Sequence, residues 1–249
     1  MANGQDLLGG LAERVRDLGL EIGLPYIAAT ADISSPEPLL DAQGRPFAES
    51  LFQWLDPKLQ YWKDRSFALR APFITAVRYT CEPFFYHDGR FASWRPTPKL
   101  DVIAVQAAAD NFGIASAVIA PVYLPEGAIG AVVWASSEAG RDTPQVFAER
   151  SPELHSAAIR FIAAYHDCAG AAALPTHLTR REVQCLKWAA AGKTDHEVAQ
   201  IIHIAMPTVR FHIRNAAEKL KVVGRSQAIH RAATLGYIGA VRNPPAQQI

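Results

Sequence analysis

Apolar residues recur with a helical period in several parts of the chain. Residues 4–22 carry leucine, valine and isoleucine every three to four positions, which is typical of an amphipathic helix that buries one face. The same spacing, or an apolar run after a proline, predicts further helices at residues 46–69, 73–80, 101–112 and 143–166. Helices therefore both begin and end the first two thirds of the sequence.

Strand-like segments fall between these helices. β-branched and aromatic residues predict strands at 26–33, 116–123 and 128–136, and two short strands within 84–94. Residues 124–127 (LPEG) separate the two longest strands, and this composition favours a hairpin turn. Because hairpins give antiparallel pairs, we expect an α+β fold here, an α/β/α sandwich with an antiparallel sheet.

The last third has the pattern of a small helical domain. Thr179 and Thr194 each stand three residues before a glutamate, a spacing in which hydroxyl and carboxylate cap the free N–H groups of a helix start. A third helix is expected over 206–220 and a fourth over 226–235. The apolar residues of the third lie along one face, at Val209, Ile213, Ala216 and Leu220. The sequence therefore predicts an all-α four-helix helix-turn-helix domain.

A stretch of small residues with one proline separates the two parts. Residues 169–177 (AGAAALPTH) have the composition of a linker, which predicts one domain at 1–168 and a second at 178–240. Residues 241–249 follow the last helix and contain two adjacent prolines, so we expect a flexible tail there.

Charge is distributed unevenly between these parts. From residue 174 onward the chain holds 11 lysines and arginines against 4 aspartates and glutamates, whereas the first 173 residues hold 14 against 20. The net charge of +1 thus combines +7 from residue 174 onward, the part that contains the helical domain, with −6 in the first 173 residues. A basic module beside an acidic one indicates a unit that binds a polyanion such as nucleic acid.

The candidate DNA contacts lie on the third helix and at the start of the second. Arg210, Phe211 and Arg214 occupy the half of the third helix that reads bases in such domains, and arginine suits guanine O6 and N7, with contacts to phosphate alone as the alternative. Lys193 and Thr194 stand beside a helix N-terminus and suit a phosphate, a role compatible with capping by Thr194. The full set is Lys193, Thr194, Thr208, Arg210, Phe211, Arg214, Asn215, Lys219, Lys221 and Arg225.

Residues 178–238 resemble the C-terminal DNA-binding domain of LuxR-type regulators. The likeness rests on LTRRE, AAGKT with HEVAQII, TVRFHI, KLKV, and GRSQAI followed by LGYI. It implies a transcription regulator that binds specific sequences of double-stranded DNA. One position departs from the family, which usually has serine as the cap of the recognition helix where this chain has Ala205. We therefore expect that helix to begin less firmly held.

The fourth helix carries small residues that suit an interface between two copies. Ile229 and Ala232 are expected to pack inward, which leaves Ala228 and Ala233 to let a second copy approach closely. A two-fold homodimer would then bind a near-palindromic DNA site.

The first domain is similar, more weakly, to the autoinducer-binding domain of quorum-sensing LuxR proteins. The likeness rests on residues 71–74 (APFI), 83–86 (PFFY) and 111–114 (NFGI), and continues through 127–135. In that family polar side chains anchor an acyl-homoserine lactone, and several are replaced here. Ala71 stands for the aspartate that accepts the amide N–H, Lys58 and Tyr86 for two tryptophans, Trp62 for a tyrosine, and Val133 for a serine or threonine.

The residues that remain outline an aromatic and apolar pocket. They are Trp54, Trp62, Ala71, Phe73, Tyr86, Phe91, Ala131, Val133 and Ala135. A buried amide without its acceptor costs about 1–3 kcal/mol, so these replacements remove much of the preference for a lactone. Three alternatives stay open: another small organic ligand or an unusual lactone, a closed core without ligand, and an ordinary acyl-homoserine lactone.

Other classes of function have little support in the sequence. His87 and Asp88 are the main candidates for catalytic residues. No nucleophile elbow, phosphate loop or metal-ligand spacing accompanies them, so we expect no catalysis, cofactor or metal.

The three cysteines, Cys81, Cys168 and Cys185, are odd in number and far apart, so we expect them to be reduced. Without a signal peptide or a membrane-length apolar run, the protein is expected in the cytoplasm, away from membranes. A protein that titrates another LuxR-type regulator through mixed dimers is the alternative function.

Overall fold

Two units make up the fold. A computed structural model describes residues 2–35, 37–55, 71–107, 112–169 and 175–239. One unit consists of Met1–Leu124 with Ala128–Ala172, and the other of Ala173–Ile249 with Pro125–Gly127. No helix within the described ranges is long and apolar enough to cross a membrane.

The first unit alternates helices with short strands. Its helices are α1 (Ala2–Glu21), α2 (Phe47–Ser50), α3 (Pro72–Val77), α4 (Pro98–Ala107) and α5 (Thr143–Ala169). Its strands are β1 (Tyr26–Thr30), β2 (Phe84–His87), β3 (Arg90–Ala92), β4 (Ser116–Tyr123) and β5 (Ile129–Ser136). The predicted strands are therefore present, and the first is shorter than expected.

The described strands form one antiparallel sheet in the order β1-β5-β4-β2-β3. In the long hairpin β4–β5, Ser116 pairs with Ser136 at one end and Tyr123 with Ile129 at the other. Strand β1 extends the sheet beyond β5, and β2 and β3 extend it beyond β4. Two separate apolar clusters cover the two faces of this sheet, which confirms the predicted α/β/α sandwich.

One face of the sheet packs against α1 and α5. Val118 of β4 is fully buried together with Leu18 of α1 and Phe161 of α5. On the same face, the indole N–H of Trp134 donates a buried hydrogen bond of 2.8 Å to the Val15 carbonyl oxygen. Because a buried indole N–H needs an acceptor, this bond fixes the position of α1 on the sheet.

A glycine lets α5 approach the sheet closely. A Cβ at Gly130 of β5 would lie 2.7 Å from Ile162 Cγ2 of α5 and 2.8 Å from the Thr30 carbonyl oxygen of the neighbouring strand. Both distances are shorter than such atoms tolerate, so a side chain here would push the helix or the strand away.

The helix predicted over residues 46–69 is wrong in its first part. Only Phe47–Ser50 is helical within the described residues of that range, and residues 56–70 lie outside them. The rings of Phe47 and Phe52 both pack edge-on against Phe161, with centroid distances of 5.6 and 5.8 Å. Burial of two rings against one partner outweighs the local helical period.

The second unit is a helix-turn-helix domain, as predicted. Its described helices are α6 (Arg180–Ala190), α7 (Asp195–Ile202), α8 (Met206–Lys219) and α9 (Gly224–Thr234). Leu186, Val198, Val209 and Ala228, one from each helix, have no exposed surface. Trp188 is partly buried against the same core.

Some details of the second unit differ from expectation. Helix α9 begins earlier than predicted, at Gly224, and Ala228 is fully buried in the core instead of being free for a second copy. Ala233 stays exposed. On α6, Val183 and Ala190 are only partly buried. On α9, Ile229 and Ala232 pack inward as predicted, with Ile229 partly and Ala232 fully buried, so the error there is confined to Ala228.

Candidate nucleic-acid interface and sensory core

The first turn of α7 is fixed by a capping box. The Thr194 hydroxyl accepts a hydrogen bond from the Glu197 N–H at 3.3 Å, and the Glu197 carboxylate accepts one from the Thr194 N–H at 2.8 Å. Lys193 Nζ donates to the same carboxylate at 3.2 Å. The Thr194 N–H, the Thr194 hydroxyl and the Lys193 ammonium lower the pKa of Glu197 to about 2. Lys193 and Thr194 thus stand in defined positions beside the N-terminus of α7.

Helix α8 buries one face and exposes the candidate base-reading face. Its stripe of Val209, Ile213, Ala216 and Leu220 is buried, as predicted. The side chains of Arg210 and Arg214 are 64% and 69% exposed, and Phe211 is 49% exposed. The Arg214 guanidinium lies over the Phe211 ring, 5.8 Å from its centroid. The three residues form one accessible surface within the first nine residues of α8.

The start of α8 has no side-chain cap. Ala205 is the N-cap residue, and its methyl side chain cannot accept a hydrogen bond from the free N–H groups of the helix. Pro207 lies in the first turn. His203 turns the chain between α7 and α8 with a left-handed backbone (φ 55°). The start of α8 thus lacks a side-chain cap, and the expectation that it is less firmly held stays a prediction.

A carboxylate joins two of the candidate arginines. Asp195, the first residue of α7, accepts a hydrogen bond from Arg210 Nε at 3.2 Å and another from Arg225 Nη1. Arg225 Nη2 also donates to the Lys193 carbonyl oxygen. The sequence reasoning missed Asp195, because nothing local relates it to side chains 15 and 30 positions away.

These residues surround a recess of about 440 Å³ beside the start of α7. Lys193, Thr194, Arg210 and Arg225 line it together with Asp195. The structure thus places four of the predicted DNA-contacting residues around one recess. The carboxylate of Asp195 lies among them.

The remaining candidates lie elsewhere on the unit. Lys219, at the end of α8, donates a 2.9 Å hydrogen bond to the buried carboxylate of Glu182. Burial by itself raises the pKa of Glu182, but hydrogen bonds from Lys219 and Thr179 outweigh it and the pKa is lowered. Lys221 is exposed, and Thr208 and Asn215 are partly buried on α8. Lys219 therefore stabilises the buried carboxylate that caps α6, in addition to adding positive charge to the surface of the unit.

The candidate pocket residues of the first unit share the second face of the sheet. Phe73 of α3 contacts Tyr86 and Phe91 edge-on, with ring centroids 5.3 and 5.4 Å away. Ala131, Val133 and Ala135 of β5 are buried in the same cluster, and Trp54 is partly buried against it. Trp62 lies outside the described residues. We call this group the sensory core.

At three positions where the sequence resemblance implies a lost lactone anchor, the structure has a buried apolar or aromatic side chain. Ala71 is 1% exposed directly before α3, and Val133 is 6% exposed on β5. Tyr86 is 2% exposed and contacts other aromatic rings. Lys58 lies outside the described residues.

Comparison with known proteins gives the same two parts. Residues 176–232 match the family model of bacterial regulatory proteins of the luxR family, and residues 42–165 match that of the autoinducer binding domain. VjbR of Brucella ovis, an HTH-type quorum sensing-dependent transcriptional regulator, is 30% identical over 193 residues, which cover 70% of this chain and 74% of VjbR. The transcriptional activator VanR of Vibrio anguillarum is 54% identical over 61 residues, 24% of this chain and 25% of VanR.

A solved structure has the same fold. SdiA in complex with octanoyl-rac-glycerol superposes with a TM-score of 0.52 over 94% of this chain and 91% of SdiA, at 19% sequence identity. The two units together define a DNA-binding transcription regulator with a sensory domain, and not an enzyme. The chain belongs to the LuxR family of quorum-sensing regulators.

Proposed function

We propose that the chain acts as a homodimer that binds near-palindromic DNA through α8, and that its sensory core works without the usual acyl-homoserine-lactone anchors. The observation that carries the DNA half of this proposal is the exposed surface of Arg210, Phe211 and Arg214, opposite the buried stripe of α8. Arginine at the accessible N-terminal half of such a helix suits guanine in the major groove.

Two copies fit this function better than one. A single helix-turn-helix unit reads one half-site of a few base pairs, whereas a two-fold pair reads two half-sites related by the same symmetry. Exposed Ala233 on α9 leaves room for a close helix contact at such an interface.

The DNA half is tested by selecting duplexes from a random library with the full-length protein. We expect an enriched sequence with dyad symmetry, and sedimentation should show two protein chains on each duplex. A library without any enriched sequence contradicts specific DNA binding. An enriched sequence without symmetry, bound by one chain, contradicts the homodimer.

The sensory half rests on the composition of the sensory core. Among the described residues of the sensory core, the polar side-chain groups are the Tyr86 hydroxyl and the Trp54 indole N–H, and the other side chains are alanine, valine and phenylalanine. A lactone amide and ring carbonyl enclosed there would lose hydrogen bonds to water without replacement by the family's anchors, a cost of about 1–3 kcal/mol for each group. This favours either an apolar ligand or a core closed by its own aromatic rings.

Extraction of purified protein followed by mass spectrometry tests the sensory half. We expect either no stoichiometric small molecule or an apolar compound without a homoserine-lactone ring. DNA affinity should also change less than twofold on addition of octanoyl-homoserine lactone. Recovery of a stoichiometric lactone, or a tenfold gain in DNA affinity with one, contradicts this half and leaves the DNA half standing.

A further inference from the structure

The bridge at Asp195 bears on how the DNA surface recognises sequence. Asp195 is 22% exposed and accepts from two arginines at once, whereas Arg210 keeps 64% of its side chain in solvent. Arg225 has a second acceptor in the Lys193 carbonyl oxygen. Arg225 is therefore held on two sides, and Asp195 is in turn held by Arg225.

The bond to Arg210 uses one particular nitrogen. Arg210 donates through Nε, and its two terminal amino groups lie further out along the side chain. Those amino groups form the fork that fits guanine O6 and N7. Asp195 thus restrains the stem of the guanidinium and leaves the base-reading end to DNA.

We propose that Asp195 is a positioning residue for base recognition, which orients Arg210 toward a base edge and weakens its use as a general phosphate contact. This inference rests on the proposed function of α8 in DNA binding. Two physical effects support it. A side chain already held in place loses less rotamer freedom on binding. A carboxylate beside Lys193 and Thr194 also repels phosphates that approach in arbitrary registers.

The matched control is Glu218, which pairs with the other candidate arginine. Arg214 Nε lies 3.8 Å from Glu218 Oε1, and both side chains are about 70% exposed. The Arg214–Glu218 distance is longer than the 3.2 Å between Arg210 and Asp195, and the pair is more exposed. Its two residues lie four positions apart on the same helix. Glu218→Gln therefore removes the same charge from the same surface without removing a bridge between helices.

The experiment uses the full-length protein and a duplex that the native protein selects from random DNA. Affinities for this duplex and for an unrelated duplex are measured for the native chain, Asp195→Asn and Glu218→Gln. For Asp195→Asn we expect about threefold tighter binding to unrelated DNA, the effect of removing one charge some 7 Å from a phosphate. The ratio of specific to non-specific affinity should fall by about two- to tenfold, as expected when one long side chain loses its fixed position. For Glu218→Gln the ratio should stay as in the native protein.

A second readout separates positioning from a change in charge or stability. Single base-pair changes along the selected duplex identify the pair at which Arg210→Ala loses discrimination. Asp195→Asn should lose discrimination at that same pair while it still binds unrelated DNA at least as tightly as the native protein, which shows that the variant is folded. An unchanged affinity ratio, or a loss spread evenly over all base pairs, overturns the role of Asp195. Failure of the native protein to select any duplex instead refutes the proposed function.

Discussion

At the scale of single residues, Lys221 combines backbone strain with positive charge. It follows α8 with a left-handed backbone (φ 56°), which costs a residue with a side chain about 1–2 kcal/mol relative to glycine. The residue is exposed, so no core contact offsets this strain. We therefore propose that the charge of Lys221 is used in a contact with a DNA phosphate.

Replacing Lys221 tests that use. Lys221→Gly should raise the free energy of unfolding by about 1 kcal/mol. It should also make the fall of log DNA affinity with log salt concentration shallower, by about 1 in the slope. Lys221→Gln is the matched variant, because it removes the charge and keeps the side chain. It should lower the salt slope equally while stability stays unchanged. Urea unfolding and salt titrations measure both quantities, and a salt slope unaffected in both variants argues against a phosphate contact.

The sequence identified most of the surface residues of the DNA unit but not their partners. Arg210, Phe211 and Arg214 follow from the helical period, because the exposed face is what the apolar stripe leaves free. The bridge from Asp195 to Arg210 and Arg225 depends on how three helices pack. Local patterns carry no information on such packing.

At the scale of elements, the uncapped start of α8 is a weak point that one substitution can repair. Ala205 has the extended backbone of an N-cap residue, and it offers no side-chain oxygen to the free N–H groups. Ala205→Ser should stabilise the protein by about 0.5–1.5 kcal/mol. Urea unfolding measures this gain, and Ala205→Val, which offers no oxygen, is the control. A serine variant no more stable than the native chain would show that Pro207 already fixes the helix start.

Acid should weaken the second unit through its two capping glutamates. The pKa of Glu182 is lowered from 4.5 and that of Glu197 is lowered to about 2, so the folded state holds both carboxylates ionised where the unfolded chain binds protons. Their stabilisation is fully present above pH 4.5 and is lost as the pH falls through the lowered pKa values. Urea midpoints of native protein should therefore stay level from pH 7 down to pH 4.5 and drop as the pH falls from there toward 2.

Glutamine variants identify the groups responsible for that pH dependence. Glu182→Gln and Glu197→Gln should each lower the urea midpoint at pH 7 and make its fall with pH shallower, because the titrating group is gone. Glu218→Gln removes an exposed carboxylate outside both capping boxes and should follow the native curve. Curves of equal steepness for all four proteins would place the acid sensitivity elsewhere.

Elements with strong local signals were predictable, and those decided by burial were not. Both capping boxes and the β4–β5 hairpin follow from a few adjacent residues, and the structure confirms them. The chain after α2 departs from its helical period because Phe47 and Phe52 both pack on Phe161. That ring lies more than a hundred positions away, so the sequence window around α2 does not show it.

At the scale of the whole molecule, charge and chemistry are divided between the two units. The part of the chain from residue 174 onward, which contains the helix-turn-helix, carries a surplus of +7, and the first 173 residues, which contain the sensory unit, carry −6. The basic unit suits DNA, while the described part of the sensory core consists mainly of alanine, valine and aromatic side chains.

The most direct test of the account is DNA binding by variants of the two exposed arginines. With the duplex selected by the native protein, Arg210→Ala and Arg214→Ala should each lower specific affinity by about 1–3 kcal/mol and relax the preference at one base pair. Lys193→Ala should instead weaken specific and unrelated DNA alike and reduce the salt slope by about 1. If both arginine variants discriminate between the two duplexes as well as the native protein does, α8 does not read the sequence through this face.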